Sequence, residues 1–401
     1  MSISKPYLPH NVFAPAGDEP ACRHRVLIAP PRYIQGDGVL SRLGRYLALV
    51  PASRAAVLIS AGGKKRLGKQ LSADLNASGI DASMVIFQGE CSREEAERTA
   101  AEIRQQSPQA DCVVAVGGGK CVDTGKYVAA LLGVPAVICP TLASNDAPCS
   151  ALSAMYRPDG VFEGIEFYPD SPALVAVDTR IVAEAPVRYL VAGMGDALST
   201  WYEARTVMEN PAALTALGTR PTIAAHDLGK LCATTLYAEG EASVEAVQRH
   251  EVNESLERVV EANTLLSGIG FESGGLAVSH AVAQGLTVIE AVQRQYLHGE
   301  MVAIGLLTQL LMEQRVQEAG QVAGFFGRVG LPVSLEQIGL SKQQTTKLRS
   351  VMEVAMSLPV VHCEPFPVTV EGLLDGIALA DDLGRNIASR FGDTPYRTLH
   401  A

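Results

Sequence analysis

The first half of the chain alternates short apolar runs with helical stretches. The apolar runs are rich in Val and Ile and are bounded by Gly, Pro or polar residues, a pattern typical of buried strands. The strands predicted in this way cover residues 25–29, 55–60, 83–87, 111–116, 134–139 and 173–177. Helical stretches such as 93–105 and 120–132 lie between them. Strands that alternate with helices predict a parallel sheet covered on both faces.

The character of the chain changes after about Asp178. Before that point, residues 150–156 and 161–167 flank the turn sequence RPDG, which predicts a β-hairpin. After it, Ala, Leu, Glu, Gln and Met dominate with apolar residues at helical spacing, as in 303–313, and only 358–362 is ambiguous. A chain of 401 residues is also too long for one ordinary core. We therefore expect an α/β domain over 1–178 and an all-helical domain over 179–401.

Composition and charge exclude several classes of protein. Hydrophobic residues make up 47% and charged residues 19% of the chain, which is typical of a globular protein. The net charge is −10 without a long run of Lys or Arg, which argues against a nucleic-acid partner. The most apolar stretch, 127–143, is interrupted by Pro135 and Pro140, and a membrane span needs about 20 uninterrupted residues.

The cysteines and the amino terminus predict a cytoplasmic protein. The eight cysteines are scattered and form no C-x-x-C pair, which is typical of free thiols in a reducing compartment. Residues 1–21 are polar and Pro-rich, and they lack the basic start and apolar stretch of a signal peptide.

A glycine-rich loop follows one predicted strand and opens the next helix. Residues 116–120 read VGGGK, and Asp123 and Lys126 continue the motif along the helix. Backbone N–H groups at a helix start attract anions, and glycines let a ligand approach closely, so a pyrophosphate is the expected occupant. A tight turn without a ligand is the alternative. The position at the carboxyl end of a parallel strand favours phosphate binding.

A polar loop, residues 140–150, follows the next strand and lies on the same edge of the sheet. Its short side chains are suited to hydrogen-bond a ribose, a nicotinamide amide or substrate hydroxyls. Ser, Asn, Asp and Pro are also ordinary residues of surface loops. Both interpretations stay open at this point.

Three residues form a candidate metal site. Asp196 follows two glycines at a predicted helix start, His280 lies in a glycine-rich but helix-like stretch, and His298 precedes the apolar helix. Two imidazoles and one carboxylate suit zinc or iron(II) and leave positions for a substrate, whose alcohol oxygen the metal polarises. The separations of 84 and 18 residues are long, so an unrelated helix cap and two unrelated histidines are the alternative.

Six stretches between Arg32 and about Leu310 carry a family resemblance: RYIQGDGVLSRLGRYL, AVGGGKCVDTGKYVAA, CPTLASNDAPCSALSAMY, AGMGDALSTWYEA, EANTLLSGIGFESGGLAVSHAV and LHGEMVAIGLLTQL. They resemble, in family order, the glycerol dehydrogenases of the iron-containing alcohol dehydrogenase and dehydroquinate synthase superfamily. The resemblance implies a Rossmann-like amino-terminal domain, a helical carboxyl-terminal domain and an active site between them. It also implies hydride transfer between a vicinal diol or hydroxyketone and NAD, and assembly as a homo-oligomer, commonly an octamer.

The resemblance also implies roles for individual residues. Zinc, or another divalent metal, would be held by Asp196, His280 and His298. Asp146 would touch the polyol, which places it with the metal ligands among the catalytic residues. No residue is an obvious general base, so either a water chain or Asp146 could carry the proton. The cofactor would contact the glycine loop and the polar loop, through Gly118, Gly119, Lys120, Asp123, Thr141, Ser144, Ser150, Leu152 and Tyr156.

Three departures from the family pattern change these expectations. Thr200 stands where iron-type relatives have a further histidine, which favours zinc. Ala283 replaces a second family histidine, which predicts a larger pocket with one polar contact fewer, so that the substrate need not be glycerol.

The third departure concerns the cofactor. Residues 59–66 read ISAGGKKR, without the aspartate that relatives often use to bind the ribose of NAD. A cation in this region accommodates the 2′-phosphate of NADP. Either NADP is accepted beside or instead of NAD, or Lys64, Lys65 and Arg66 form a solvated helix face.

Two other enzyme types and a non-catalytic protein are the alternatives to a dehydrogenase. A dehydroquinate-synthase-like or glycerol-1-phosphate-dehydrogenase-like enzyme needs basic residues for a phosphorylated substrate. The region between the metal candidates offers only scattered cations, Arg205, Arg220, Lys230 and Arg249. The complete set of metal candidates argues against a non-catalytic nucleotide-binding protein.

Overall fold

The computed structural model describes residues 7–13 and 23–401. Its first half contains a six-stranded sheet and a separate hairpin. The strands are β1 (Tyr33–Gly36), β2 (Arg54–Ser60), β3 (Asp81–Phe87), β4 (Cys112–Gly117), β5 (Ala136–Pro140), β6 (Leu152–Tyr156), β7 (Phe162–Phe167) and β8 (Leu174–Asp178). The sheet has the order β1-β8-β5-β4-β2-β3 with parallel pairs throughout, and β6 pairs with β7 antiparallel. The predicted parallel sheet and hairpin are confirmed.

The described part of the first half contains six α-helices, and the longer ones pack on the sheet. They are α1 (His10–Phe13), α2 (Leu43–Leu47), α3 (Ala61–Ala77), α4 (Arg93–Gln106), α5 (Gly119–Leu132) and α6 (Thr179–Ala183). Side chains at the strand-to-helix junctions cap several of them: Ser60 Oγ accepts from Gly63 N, and Asp178 accepts from Arg180 N. The loop between β4 and α5 is very short, so the glycines lie at the carboxyl edge of the sheet.

The second half is helical, as predicted. Its helices are α7 (Val187–Glu209), α8 (Ile223–Gln248), α9 (Glu254–Glu261), α10 (Ser267–Gly274), α11 (Val278–Leu286), α12 (Glu290–Gln295), α13 (His298–Met312), α14 (Val316–Val329), α15 (Thr345–Met356), α16 (Val370–Phe391) and α17 (Thr394–Leu399). A π-helical turn, Ala262–Leu266, joins α9 to α10 without a break. The ambiguous segment 358–362 falls in a 3-10 helix, Pro359–Cys363.

One hydrophobic cluster joins the two halves. Val122 and Ile138 of the sheet region share it with Met194 and Leu198 of α7. The last strand ends at Asp178 and α6 begins at Thr179. The domain boundary between 178 and 179 stays a prediction, but the shared cluster fixes the position of α7 against the sheet.

The strand predicted over 25–29 is wrong. These residues form an extended segment that crosses to the helical half, where Arg25 makes an isolated bridge with Arg220. Ile28 N donates to Ser273 Oγ of α10 at 2.9 Å. The segment therefore has no neighbouring strand to pair with, and the first strand of the sheet is β1, which the pattern did not predict.

Within residues 7–13 and 23–401, no helix is long and apolar enough to cross a membrane.

Candidate metal centre and nucleotide cleft

A cavity of about 1180 Å³ lies between the two halves of the molecule. On the sheet side it is lined by the ends of β2 and β4 and by the polar loop after β5. On the helical side it is lined by α11 and by the start of α13, which contribute His280 and His298. Parallel α/β sheets bind ligands in such crevices at the carboxyl ends of their strands.

Asp196 lies in the middle of α7, so its prediction at a helix start is wrong. Gly193 and Gly195 lie in the helix because neighbouring backbone passes very close to it. A Cβ atom on Gly193 would collide with the carbonyl oxygen of Ala143, and one on Gly195 would lie 2.5 Å from the carbonyl oxygen of Gly299. The glycines therefore let α7 approach both the polar loop and the start of α13.

The three metal candidates converge although they are distant in sequence. His280 Nε2 lies 3.3 Å, and His298 Nε2 3.4 Å, from the same oxygen, Asp196 Oδ1. One nitrogen or oxygen from each of the three residues lies within 4.8 Å of the others. This arrangement contradicts the alternative of an unrelated cap and two unrelated histidines.

The surroundings of the Asp196 carboxylate show whether these residues suit a metal. Its Oδ2 accepts a hydrogen bond from Asp146 N at 3.2 Å, whereas its Oδ1 is buried without a hydrogen-bond partner. Burial acts to raise the pKa of Asp196, but His298 and His280 outweigh it and the pKa is lowered. A buried, ionised oxygen facing two imidazoles is strongly unfavourable unless a cation balances it. The residues therefore fit a divalent metal.

Glu203 orients His280, a role that the sequence did not reveal. Its Oε2 lies 2.6 Å from His280 Nδ1, and its Oε1 accepts from the backbone N–H groups of Ala277 and His280. A hydrogen bond from Nδ1–H to this carboxylate leaves the Nε2 lone pair facing the metal position. Burial acts to lower the pKa of His280, but Glu203 and then Asp196 raise it well above its usual value, so a metal that binds at Nε2 displaces a proton from this ring. In His298, burial lowers the pKa, which favours the neutral, ligating form.

Glu300 orders the helix start that carries His298. It accepts from Leu297 N at 2.8 Å and from Arg188 Nε at 2.7 Å. His400, in the carboxyl-terminal segment, contacts the same carboxylate at 2.9 Å. Two separate elements, α7 and the carboxyl-terminal segment, thus hold the first turn of α13 in place.

Asp146 lies beside the metal candidates, and its role stays a prediction. Its Oδ2 accepts from Ser267 Oγ at 2.9 Å, and Ser267 Oγ lies 2.8 Å from Thr200 Oγ1. Burial, and then the neighbouring charge of Asp196, raise the pKa of Asp146 well above its usual value. Thr200 thus takes part in a hydroxyl chain next to the π-turn. Ser267 was not singled out by sequence because it lies in an ordinary helical stretch.

The glycine loop presents bare backbone to the cavity. Gly118 caps α5, and a Cβ atom on it would lie 3.0 Å from Leu142 Cδ1. A Cβ atom on Gly119 would collide with the side-chain amide of Asn145, another cavity residue that sequence reasoning missed. Lys120 also lines the cavity, and its Nζ lies 2.5 Å from Glu90 Oε2.

Lys126 ties the polar loop and the hairpin to α5. Its Nζ contacts Asp123 Oδ1 and Ala147 O, each at 2.8 Å, and also Leu152 O. Asp123 Oδ2 accepts from Ala154 N at 3.1 Å. The carboxylate of Asp123 therefore already has partners within the protein, although it borders the cavity. The sequence placed Lys126 in the motif but assigned it no role.

Most of the implied cofactor residues border the cavity. Ser150 is fully buried, with its Oγ 3.1 Å from Lys126 Nζ, and is not part of the cavity wall. The implied residues that do line the cavity are Gly118, Gly119, Lys120, Asp123, Thr141, Ser144, Leu152 and Tyr156.

The larger pocket predicted at Ala283 is wrong. Ala283 is fully buried in the apolar cluster that contains Leu286 and Met301, away from the cavity wall. The next residue, Gln284, lines the cavity instead, and its Oε1 is buried without a hydrogen-bond partner. Gln284 lies one helical turn after His280, so both side chains reach the same part of the cavity.

Comparison with known proteins first identifies the class. Residues 34–186 match the family model of the iron-containing alcohol dehydrogenases. The fold superimposes on a crystal structure of glycerol dehydrogenase from Schizosaccharomyces pombe with a TM-score of 0.86 at 32% sequence identity, covering 92% of this chain and 93% of that one. The fold and the site thus define an oxidoreductase of the metal-dependent alcohol dehydrogenase class.

Full-length sequence matches identify the family. A glycerol dehydrogenase from Pseudomonas putida is 43% identical over 90% of this chain and 98% of its own length. A glycolaldehyde reductase from Halobacterium salinarum is 39% identical over 91% of this chain and 99% of its own length. The chain belongs to the glycerol dehydrogenase family, which is metal-dependent and uses NAD. The predicted family, fold class and enzyme class are confirmed.

Proposed function

We propose that this enzyme oxidises a vicinal diol, and reduces the matching hydroxyketone, by hydride transfer to and from a nicotinamide cofactor, with zinc held by Asp196, His280 and His298. One observation carries the proposal: the unpartnered, buried Asp196 Oδ1 faces two imidazoles in the same cavity that the glycine loop borders. A metal position and a phosphate-binding loop in one cleft are what such a reaction requires.

Zinc is favoured over iron by the number of ligands. Two histidines and one carboxylate leave room for substrate in a four-coordinate zinc site. Thr200, which stands where iron-type relatives supply a further histidine, is fully buried and its hydroxyl contacts Ser267. A threonine hydroxyl engaged in this way does not add a ligand.

The residues around the metal position have separate tasks. A bound zinc supplies a positive charge that lowers the pKa of the substrate alcohol. Glu203 holds the ring of His280, and the Asp146 side chain, tied to Ser267, borders the place where the alcohol loses its proton. The unpartnered Gln284 Oε1 is an acceptor for the second hydroxyl of a diol, which a simple alcohol lacks.

The cavity does not favour a phosphorylated substrate. Apart from the two histidines, the basic residues that line it are Arg66 on α3 and Lys120 on α5, away from the metal region. Of the cations between the metal candidates, Arg205 pairs with Glu318 and Arg249 with Glu245 and Glu251. Arg220 donates to backbone carbonyls, and Lys230 is exposed away from the cavity. This disfavours the synthase-like and glycerol-1-phosphate alternatives.

We also propose a cytoplasmic homo-oligomer, with the octamer of the family as the expected form. The seven cysteines in the described part of the chain are free, which suits a reducing compartment. Two apolar side chains on α8, Ile223 and Leu231, are 72% and 52% exposed, which suits burial against another subunit.

A substrate panel tests the proposed reaction. Initial rates would be measured with glycerol, 1,2-propanediol, 2,3-butanediol, simple primary alcohols and glycerol 1-phosphate. We expect kcat/KM for the best diol to exceed that for the matching simple alcohol by about tenfold or more. A ratio of this size corresponds to the free energy of one hydrogen bond to a buried acceptor. Turnover of glycerol 1-phosphate in preference to every diol would contradict the proposal.

A further inference from the structure

The cavity extends past the glycine loop to the junction of β2 and α3. Ser60, Gly63, Arg66 and Leu67 line this part of its wall. In the sheet, β4 lies between β2 on one side and β5 on the other. Since the loop after β5 contacts the metal region through Asp146, the β2 end is the opposite end of the cleft. A dinucleotide with its pyrophosphate at the glycine loop and its nicotinamide near the metal therefore places its adenosine here.

The charge at this end of the cleft is positive. The side chains that line it include Arg66, Gln70 and Phe87 but no carboxylate. Arg66 forms no ion pair among the residues that the structure describes, and its Nη1 would lie 3.4 Å from a Cβ atom on Gly62. The guanidinium thus folds back over the first turn of α3 and faces the cavity without a neutralising partner.

The hydroxyl of Ser60 supports the same site. Its Oγ accepts from Gly63 N at 3.0 Å, which leaves its own proton free to be donated toward the cavity. Lys64 and Lys65 are exposed on α3 and are not part of the cavity wall. Of the three consecutive cations, only Arg66 is placed to meet a cofactor.

We propose that Arg66, with Ser60, binds the 2′-phosphate of NADP, so that the enzyme binds NADP at least as tightly as NAD. This inference rests on the proposed dehydrogenase function. A guanidinium matches a phosphate group with two parallel hydrogen bonds. A carboxylate at the end of the second strand would instead select the free 2′-hydroxyl of NAD and repel the phosphate. This chain has the cation and lacks the carboxylate.

Binding of cofactor fragments tests the proposal without turnover. Isothermal titration calorimetry on the zinc-loaded full chain would compare 2′,5′-ADP with 5′-ADP. We expect Arg66→Ala to weaken 2′,5′-ADP binding by about tenfold or more, the value of a hydrogen bond to a charged group, and to leave 5′-ADP nearly unchanged. Lys65→Ala, which removes the same charge outside the cavity, should leave both affinities unchanged.

The other outcomes separate this inference from the proposed function. Equal weakening of both ligands by Arg66→Ala, or no weakening, overturns the 2′-phosphate site while the nucleotide cleft stands. Failure of the wild-type enzyme to bind either ligand overturns the placement of the adenosine in this cleft, whereas the proposed function fails only if the substrate panel shows no turnover of a diol.

A gain-of-discrimination variant gives a second readout. Ser60→Asp keeps a good helix-capping residue and adds the missing carboxylate at the end of β2. We expect its kcat/KM ratio of NADP to NAD to fall by about tenfold or more relative to wild type. A ratio that does not change overturns the assignment of this wall to the adenosine ribose.

Discussion

The proposed metal ligands illustrate how much a single residue depends on its neighbours. Asp196 Oδ1 suits a metal because it is buried without a hydrogen-bond partner. His280 suits a metal because the carboxylate of Glu203 contacts the nitrogen on the other side of its ring. Neither property is visible in the sequence, where the two residues lie 84 positions apart. The residue types made a metal site one of two interpretations, the family resemblance favoured it, and only the structure supplied Glu203.

Glu203→Gln tests the orienting role. Glutamine keeps the volume and one acceptor oxygen but removes the charge that holds His280. We expect the zinc dissociation constant to rise by about 10- to 100-fold, as for other partners of ligating histidines. Competition with a chromophoric chelator measures this dissociation constant. Excess zinc should restore most of the activity of the variant.

Glu209→Gln is the matched control for that variant. Glu209 lies on the same helix but pairs with Arg315 at the surface, where its side chain is 51% exposed. Its zinc affinity should equal that of wild type. If both variants bind zinc like wild type, the orienting role of Glu203 is wrong.

At the scale of elements, strands and helices were predicted correctly where a run of residues is continuously buried. The predictions failed where contacts between elements determine the local structure. β4 is fully buried and its run of Val residues is easily recognised. β1 has only four partly buried residues, which gives no clear pattern. Gly193 and Gly195 resembled a helix boundary, yet they lie inside α7 because two other segments press against it.

Lys126→Met tests the link that holds the hairpin and the polar loop to α5. The Lys126 side chain is 2% exposed, and its loss would leave the buried Asp123 carboxylate without a counter-charge. We expect the free energy of unfolding to fall by about 3–5 kcal/mol, the usual effect of removing one partner of a buried pair. Urea unfolding, followed by circular dichroism, measures the change.

Lys120→Met removes a lysine from the first turn of the same helix and serves as the stability control. Its side chain is 53% exposed and its ion pair with Glu90 lies near the surface. The loss should be about 0–1 kcal/mol. Equal losses in the two variants would show that the Lys126 network does not anchor the cleft.

For the whole molecule, the candidate active cleft exists because the two halves share one core. Composition and periodicity predicted an α/β half and a helical half, but they contain no information about how the halves face each other. The cluster that joins Val122 and Ile138 to Met194 and Leu198 fixes that orientation. It brings Asp196 under the polar loop, where Asp146 N donates to it.

Asp196, His280 and His298 are proposed to hold the zinc on which diol oxidation depends. The most direct measurement is to remove metal with a chelator and return zinc stepwise, while recording bound zinc and diol-dependent reduction of the cofactor. We expect activity to vanish on removal and to return in proportion to zinc until about one ion is bound per chain. His298→Ala should recover neither binding nor activity under the same titration. Full activity in metal-free enzyme, or recovery with iron but not with zinc, would contradict the account.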